Sequence, residues 1–331
     1  MLSAIYGKVM NLRNALYERG TFGAHGLGAR TISVGNITTG GTGKTPLVAK
    51  IAEMLAANGE RVCILTRGYG RKDPKNRVLV SDSETVLADA EMGGDEPVEL
   101  ANKLLGKAVV VADADRVAAA RWALSEFGIT AFVLDDGFQH RRAKRDLDIV
   151  CIDATNPFGG GKTLPSGRLR EPLAGLARAD AVIITRSPIA ENLDKLEADL
   201  KKYAPSAHLF HSKDSVRCVR PQVGDHDFDA KLRFVSFCGI GNPAYLFDTA
   251  NAYTNGSVVG TLAFADHHRY TQQDIENIEI LARERSADAL LTSAKDAVKL
   301  WTLKFSIPCF VMEIEPEVEP AEEFEKLISG K

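Results

Sequence analysis

The run Gly35-Asn36-Ile37-Thr38-Thr39-Gly40-Gly41-Thr42-Gly43-Lys44-Thr45 has the residue types of a phosphate-binding loop. It lies between an apolar, β-type run at 31–34 and a helical pattern that starts at Pro46. Glycines let successive backbone N–H groups turn toward phosphate oxygens, and the following helix adds the positive end of its dipole. Thr38, Thr39, Gly40, Gly41, Thr42 and Gly43 would form the cradle. Lys44 would reach the β- and γ-phosphates of a nucleotide such as ATP, and the Thr45 hydroxyl would bind Mg²⁺. The general G-x-x-x-x-G-K-[ST] pattern asks for glycine where this chain has Thr38, and the Gly40-Gly41 pair is expected to supply the turn instead. The plainer alternative is a glycine-rich strand–helix turn with an accidental Lys-Thr, which the flanking elements disfavour.

A phosphate loop needs a carboxylate at a neighbouring strand end to hold the metal. Ala131-Phe132-Val133-Leu134-Asp135-Asp136 offers two. Further polar groups stand at other breaks in the apolar pattern. In Gly93-Gly94-Asp95-Glu96-Pro97, Asp95 reads first as a helix cap and second as a carboxylate at the rim of the sheet. Arg67 belongs to a Gly-rich basic stretch at 66–72 that suits an anion, though a solvated loop has the same composition. Gln139 and His140 follow the Asp pair directly, within reach of phosphate chemistry. Arg168, Arg170 and Glu171 occupy a loop able to clamp a phosphorylated substrate. The segment Asp266-His267-His268 suits acid–base pairing or capping better than metal binding, for want of a supporting Cys/His cluster. Gly239-Ile240-Gly241-Asn242-Pro243 begins like a dinucleotide fingerprint but lacks its third glycine.

The elements that must position these groups alternate short β-rich runs with helical runs, which predicts a parallel α/β fold. Strands are expected at 31–34, 61–65, 108–111, 131–134, 147–152, 181–185, 232–237, 258–264, 289–291 and 308–312. Helices are expected at 46–57, 97–105, 116–127, 191–203, 243–253, 272–285, 293–300 and 321–328. The length of 331 residues and a restart of the rhythm suggest two α/β domains, 1–150 and 151–331, with a long Gly/Pro-rich junction loop at 156–175. A polar surface loop is expected at 224–231 and a solvated acidic tail at 313–325.

Lys and Arg total 41 and Asp and Glu 44, a formal charge of −3 that argues against bulk nucleic-acid binding. Apolar residues at 45% and charged residues at 26% exclude wholesale disorder. The five cysteines are scattered with no C-x-x-C spacing, so small buried side chains in a reducing compartment are expected. There is no secretory signal pattern and no apolar stretch near the ~20 residues of a spanning helix. The N-terminus is amphipathic instead. Leu2, Ile5, Tyr6, Val9, Leu12 and Leu16 make one stripe interrupted by Arg13, which fits a surface helix or a membrane-docking one.

Taken in order, the motifs at 35–46, 66–69, 94–97, 134–140, 167–172, 239–243, 266–267 and 292–300 resemble the tetraacyldisaccharide 4′-kinase (lipid A 4′-kinase) family over most of the chain. That family's loop resembles G-N-x-[TS]-x-G-G-T-G-K-T-P, which accommodates Thr38. The resemblance implies a P-loop NTPase-like domain and a second, smaller α/β domain with the active site between them. It implies Mg²⁺-dependent transfer of the ATP γ-phosphoryl group to the 4′-hydroxyl of an acylated glucosamine disaccharide 1-phosphate, giving lipid IVA. It further implies a peripheral enzyme on the cytoplasmic face of the bacterial inner membrane, with no obligate protein partner. By resemblance Asp95 is the catalytic aspartate and His267 its partner. Lys44 also acts at the transferring group, while Thr45, Asp135 and Asp136 surround the metal. Arg67, Gln139, His140, Arg170 and Glu171 lie near the substrate. An acylated substrate also favours membrane docking for the N-terminal helix, with Arg13 reaching the headgroups. Two rivals are a P-loop kinase for a soluble sugar and a nucleotide-switch NTPase. The second carries a signature lysine where this chain has Thr39.

Overall fold

The computed structural model describes residues 2–224 and 226–330. Its strands are β1 (Arg30–Gly35), β2 (Val62–Thr66), β3 (Val78–Ser81), β4 (Ala108–Ala112), β5 (Ala131–Asp135), β6 (Leu147–Asp153), β7 (Ala181–Thr185), β8 (His208–Pro221), β9 (Phe234–Cys238), β10 (Val258–Ala263), β11 (Ala289–Ser293) and β12 (Cys309–Glu319). Its α-helices are α1 (Leu2–Glu18), α2 (Lys44–Ala57), α3 (Ala90–Gly93), α4 (Asp95–Lys103), α5 (Arg116–Phe127), α6 (Leu193–Tyr203), α7 (Pro243–Tyr253), α8 (Gln272–Glu284), α9 (Ala294–Ala297) and α10 (Ala321–Ser329). The expected α/β architecture is present as a single twelve-stranded sheet, ordered β10-β9-β11-β12-β8-β7-β6-β1-β5-β2-β4-β3.

The central strands are short, apolar and buried on both faces, as parallel strands covered by helices must be. In β5, all five residues are buried. Helix α2 covers this region with Leu47, Val48, Ile51, Ala52 and Leu55 turned inward. Helix α5 is started by Asp115, whose carboxylate accepts from the N–H groups of Val117 and Ala118, and it is stopped by Gly128 in the left-handed region. The chain leaves β1 for β2, yet β5 lies between them in the sheet. Connections diverge at the C-terminal ends of these strands, which is where open α/β sheets bind ligands.

Two parallel blocks are joined by a long antiparallel ribbon. The start of β8 pairs in parallel with β7, from Ala181 opposite His208 to Thr185 opposite Ser212. Most of β8 then pairs antiparallel with β12, from Phe310 opposite Pro221 to Glu319 opposite His211. The start of β12 pairs in parallel with β11. A register shift at Glu313/Ile314 leaves Arg217 as the extra residue of a bulge, and its guanidinium reaches Glu53 on α2 at 2.9 Å.

Three expectations change. Strands β3 and β8 were not anticipated, and residues 313–319 extend β12 instead of forming a solvated tail. In that stretch Glu313, Glu315, Glu317 and Glu319 alternate with Ile314, Pro316 and Val318, a strand pattern that the charge obscured. Arg220 and Lys213 of β8 face Glu313 and Glu317 at 2.7 and 2.9 Å. The division at 150/151 falls inside β6, which pairs with β1 on one side and β7 on the other. The α/β rhythm continues there without a break, so the boundary drawn from the sequence cuts a strand.

Candidate active site

Helix α2 is entered through Gly43, the residue before it, whose φ of 74° is open to glycine without strain. The preceding loop is pinned from outside. Asn36 Nδ2 donates to Thr42 Oγ1 at 3.0 Å, Thr185 Oγ1 to the Thr42 carbonyl at 3.1 Å, and Arg186 to the Gly41 carbonyl at 3.2 Å. Arg168 donates to the Thr39 carbonyl at 3.0 Å and accepts from the Thr39 N–H at 2.8 Å. These contacts fix a cradle at the mouth of a cavity of about 970 Å³, into which Thr39, Gly40, Gly41, Thr42, Gly43, Lys44 and Thr45 all face. Thr38 is buried behind the loop and bridges to Leu169, so it does not reach the cavity.

Asp135 and Asp136 enter the cavity from the end of β5. Lys44 Nζ lies 3.5 Å from Asp136, and Arg170 Nη1 donates to both Asp136 oxygens at 2.7 and 2.6 Å. Burial opposes ionisation of Asp136, but Lys44 and Arg170 outweigh it and hold the carboxyl below its ordinary range. Among the described residues the Asp135 carboxylate is hydrogen-bonded only by the Thr66 hydroxyl, at 3.1 Å. Burial, then Glu96, then Asp136 push its carboxyl up to about 7. Two adjacent carboxylates thus differ in kind: one is held by cations and the other waits for one.

Among the described residues no cluster of three or more His, Cys, Asp or Glu is placed to hold a metal by itself. The hydroxyl of Thr45 and the carboxylates of Asp135 and Asp136 fit a different arrangement, in which Mg²⁺ arrives with phosphate oxygens and takes one or two protein carboxylates. A buried carboxylate whose ionisation burial, Glu96 and Asp136 oppose gains from a cation beside it.

Across the cavity stands a second polar group. Asp95 is the first residue of α4, and its carboxylate does not cap that helix; Gly94 precedes it without a side-chain cap. Instead Asp95 Oδ2 lies 2.8 Å from His267 Nδ1, on the turn after β10. Lys299 Nζ approaches the same oxygen at 3.8 Å. Burial opposes ionisation of Asp95, but His267, Lys295 and Lys299 overcome it and hold the carboxyl below its usual range. The bond to Asp95 raises the imidazole above its usual range, against burial and Lys295. His267 lines the cavity, whereas Asp95 is 6% exposed and sits beneath it.

Backbone strain marks the same place. Asp136, Arg186 and His267 have φ values of 52°, 57° and 61°, a region costly for non-glycine residues, and all three line the cavity. The two halves also touch closely. A Cβ on Gly241, between β9 and α7, would fall 2.9 Å from the Gly41 nitrogen. Only glycine permits that approach of backbone to phosphate loop.

The remaining expected residues divide. Arg67, Gln139, His140 and Arg170 line the cavity. Burial, with Arg116 and Arg145 nearby, pushes His140 down to about 4, so it is neutral near pH 7. Glu171 is fully buried, and its carboxylate is filled by Asn14 at 2.9 Å, Gln139 at 2.9 Å and Arg178 at 3.0 and 3.1 Å. It therefore ties α1 to the site and does not face the cavity.

Helix α1 closes the far end through Tyr6, Met10 and Arg13. Its inner face is polar: Tyr6 donates to the Arg170 carbonyl at 2.8 Å, and Arg13 to the Gln139 carbonyl at 2.8 Å. Tyr6, expected in the apolar stripe, thus turns inward. Leu2, Ile5, Val9 and Leu12 are 69%, 54%, 57% and 62% exposed.

Sequence reasoning did not single out Lys295, Lys299, Arg116, Arg186 or Tyr245. For Arg186 a signal existed: β7 ends in Thr185-Arg186 as β2 ends in Thr66-Arg67, so both strands deliver an arginine to the cavity. Arg186 also binds Asp153 and stacks on the Tyr245 ring at 4.8 Å, linking β7 to α7.

The family model described as "Tetraacyldisaccharide-1-P 4'-kinase" matches residues 1–331. Among curated proteins, tetraacyldisaccharide 4′-kinase of Halothermothrix orenii is 37% identical over 315 residues, covering 90% of this chain and 81% of its own length. The protein of that name from Geobacter metallireducens is 39% identical over 303 residues, covering 91% and 87%. Among solved structures, LpxK from Aquifex aeolicus in complex with ATP superposes with a TM-score of 0.80 at 30% identity, covering 99% of this chain and 96% of the other. The chain belongs to the tetraacyldisaccharide-1-P 4′-kinase family.

Proposed function

We propose that the protein is an ATP-dependent kinase that transfers the γ-phosphoryl group to the 4′-hydroxyl of a tetraacylated glucosamine disaccharide 1-phosphate, giving lipid IVA. The observation that carries this reading is one cavity lined by a phosphate cradle from one block of the sheet and by His267 from the other, with the Asp95 carboxylate 2.8 Å from the imidazole.

Phosphoryl transfer needs little covalent help from the protein; it needs positioning and charge stabilisation. The cradle and Lys44 would grip the phosphates, and Lys44 would exchange Asp136 for the γ-phosphoryl oxygens. Thr45, Asp135 and Asp136 would hold Mg²⁺, which neutralises charge on the phosphoryl oxygens when bound. Asp95 would accept the proton of the sugar hydroxyl. Its Oδ2 is committed to His267, and no hydrogen bond among the described residues goes to Oδ1, which is left for the substrate. Arg67, Gln139, His140 and Arg170 would orient the acceptor, with Glu171 positioning Gln139 from behind.

The acceptor's acyl chains direct it to a lipid surface. Helix α1 supports this by turning an apolar stripe outward at the end of the cavity, and no helix among the described residues is long and apolar enough to cross a membrane. We take the protein to be peripheral, at the cytoplasmic face of the inner membrane. We place the second domain after β8, with β12 and α10 returning to the first.

The test is incubation with γ-labelled ATP and the acylated disaccharide monophosphate. Label is expected in the lipid, and its absence overturns the reading. An Ile5→Asp/Val9→Asp variant is expected to lose co-sedimentation with anionic vesicles. Unchanged co-sedimentation would remove α1 from the membrane role.

A further inference from the structure

Lys295 is the second residue of α9, at the seam where the second block meets α4. Its side chain is 15% exposed. The ammonium lies 3.2 Å from Glu96 Oε1 on α4, 3.1 Å from Asp266 Oδ1, and 3.3 Å from His267 Nε2. An ammonium has three donors and no acceptor. Three acceptors surround it here, so the ring nitrogen facing it has to offer a lone pair. The other ring nitrogen faces the Asp95 carboxylate at 2.8 Å and has to carry the proton. One cation therefore selects the tautomer of the imidazole.

The charged and titratable groups around His267 make this selection consequential. Asp95 faces it from α4, Asp266 from its own turn, Lys295 from α9, and the Tyr69 ring from the loop after β2, at 5.3 Å; Glu96 acts on it through Lys295, and Lys299 through Asp95. Asp266 Oδ1 is 3.8 Å from His267 Nε2. Without Lys295, that carboxylate is the nearest partner, and it draws a proton onto Nε2. The ring then carries protons on both nitrogens, and an imidazolium beside Asp95 makes Asp95 a weaker base. With Lys295 in place, its ammonium engages Nε2 as an acceptor and opposes the pull of Asp95 and Asp266 toward a second ring proton.

We propose that Lys295 is a positioning residue that locks His267 in the neutral Nδ1–H tautomer, leaving Asp95 as the basic member of the pair. This rests on the reading of Asp95 as the acceptor of the hydroxyl proton. It also excludes His267 Nε2 as the acceptor, because Lys295 occupies it.

The test joins nitrogen-15 NMR of the imidazoles in the full chain with a double-mutant cycle. His267 resonances are assigned by their loss in His267→Asn. In the wild type at neutral pH, Nδ1 is expected to be protonated and Nε2 bare; a proton on Nε2 overturns the proposal without any need for a variant. In Lys295→Met, both nitrogens are expected to hold protons to higher pH, and the acid limb of the kcat profile moves upward. The kcat should fall by up to about a hundredfold, the scale for misplacing a group at the reacting centre. Lys295→Arg, which keeps a cationic donor, should restore the acid limb. In a His267→Asn background, Lys295→Met should cost less than about twofold, because coupled residues are not additive. Equal losses in both backgrounds, reproduced by Glu96→Gln, would show that Lys295 only ties α4 to α9. Absence of phosphoryl transfer by the wild type would sink the kinase reading, while the NMR result would stand by itself.

Discussion

Asp135 and Asp136 reach the cavity from the end of one strand, whereas Asp95 and His267 meet across 172 residues of chain. The first pair is set by a five-residue strand buried on both faces, beside a loop pinned by its own block of the sheet. The second pair exists only while α4 and the turn after β10 keep their relative place. The difference separates two kinds of dependence. On the proposed reading, the nucleotide pole depends on local sequence, and the acceptor pole depends on how two blocks are held together.

The contrast can be tested in descending order of effect. Lys44→Ala or Asp136→Asn should lower kcat/KM by about 10³-fold, the scale for removing a principal electrostatic stabiliser. Activity near wild type in either would break the assignment of the nucleotide pole. Asp95→Asn should lower kcat by about 10²- to 10³-fold while the ATP KM stays close to wild type, because its work is on the hydroxyl. A defect confined to ATP binding would merge the two poles into one. Gly241→Ala should cost about tenfold to a hundredfold in kcat, since a small misplacement between reacting groups has that effect. It introduces a methyl group 2.9 Å from the Gly41 nitrogen, so the blocks have to part. Normal kinetics with this variant would show that the acceptor pole tolerates separation.

The smallest effect is on pH. The carboxyl of Asp135 sits at about 7, raised by burial, Glu96 and Asp136. A proton and Mg²⁺ compete for it, so apparent Mg²⁺ affinity should rise with pH up to about 7 and level off above. Below that point the change is at most about tenfold per pH unit for one proton. A flat profile between pH 5 and 8 would show that Asp135 stays out of the metal's shell.

The placement of the loop proposed to hold the nucleotide was legible because it lies in contiguous residues with a strand before and a helix after. Thr45, Asp135 and Asp136 fall where the pattern puts them. Asp95 was not legible from its own neighbourhood, since Gly-Gly-Asp-Glu-Pro has the composition of a capped helix start. Its partner is on the far side of the chain, and no local signal encodes that meeting; only the ordered set of motifs carried it. Glu171 shows the opposite failure. A Glu beside two arginines looks like a clamp, yet its carboxylate is fully buried among Asn14, Gln139 and Arg178. The strand β8 was missed because its residues are mixed and half-exposed, and its partner β12 lies about a hundred residues on, as in Ser215 opposite Glu315.

The ribbon of β8 and β12 has one more result. Each block ends on a strand that also completes its neighbour, so only β10 and β3 keep an open side among the described residues. Strand β3 has four residues, and β10 slips in register at Val258/Gly260. Short and irregular margins make poor templates for another molecule's strand. A protein that must carry a greasy helix face in water is thereby protected from a second route to aggregation.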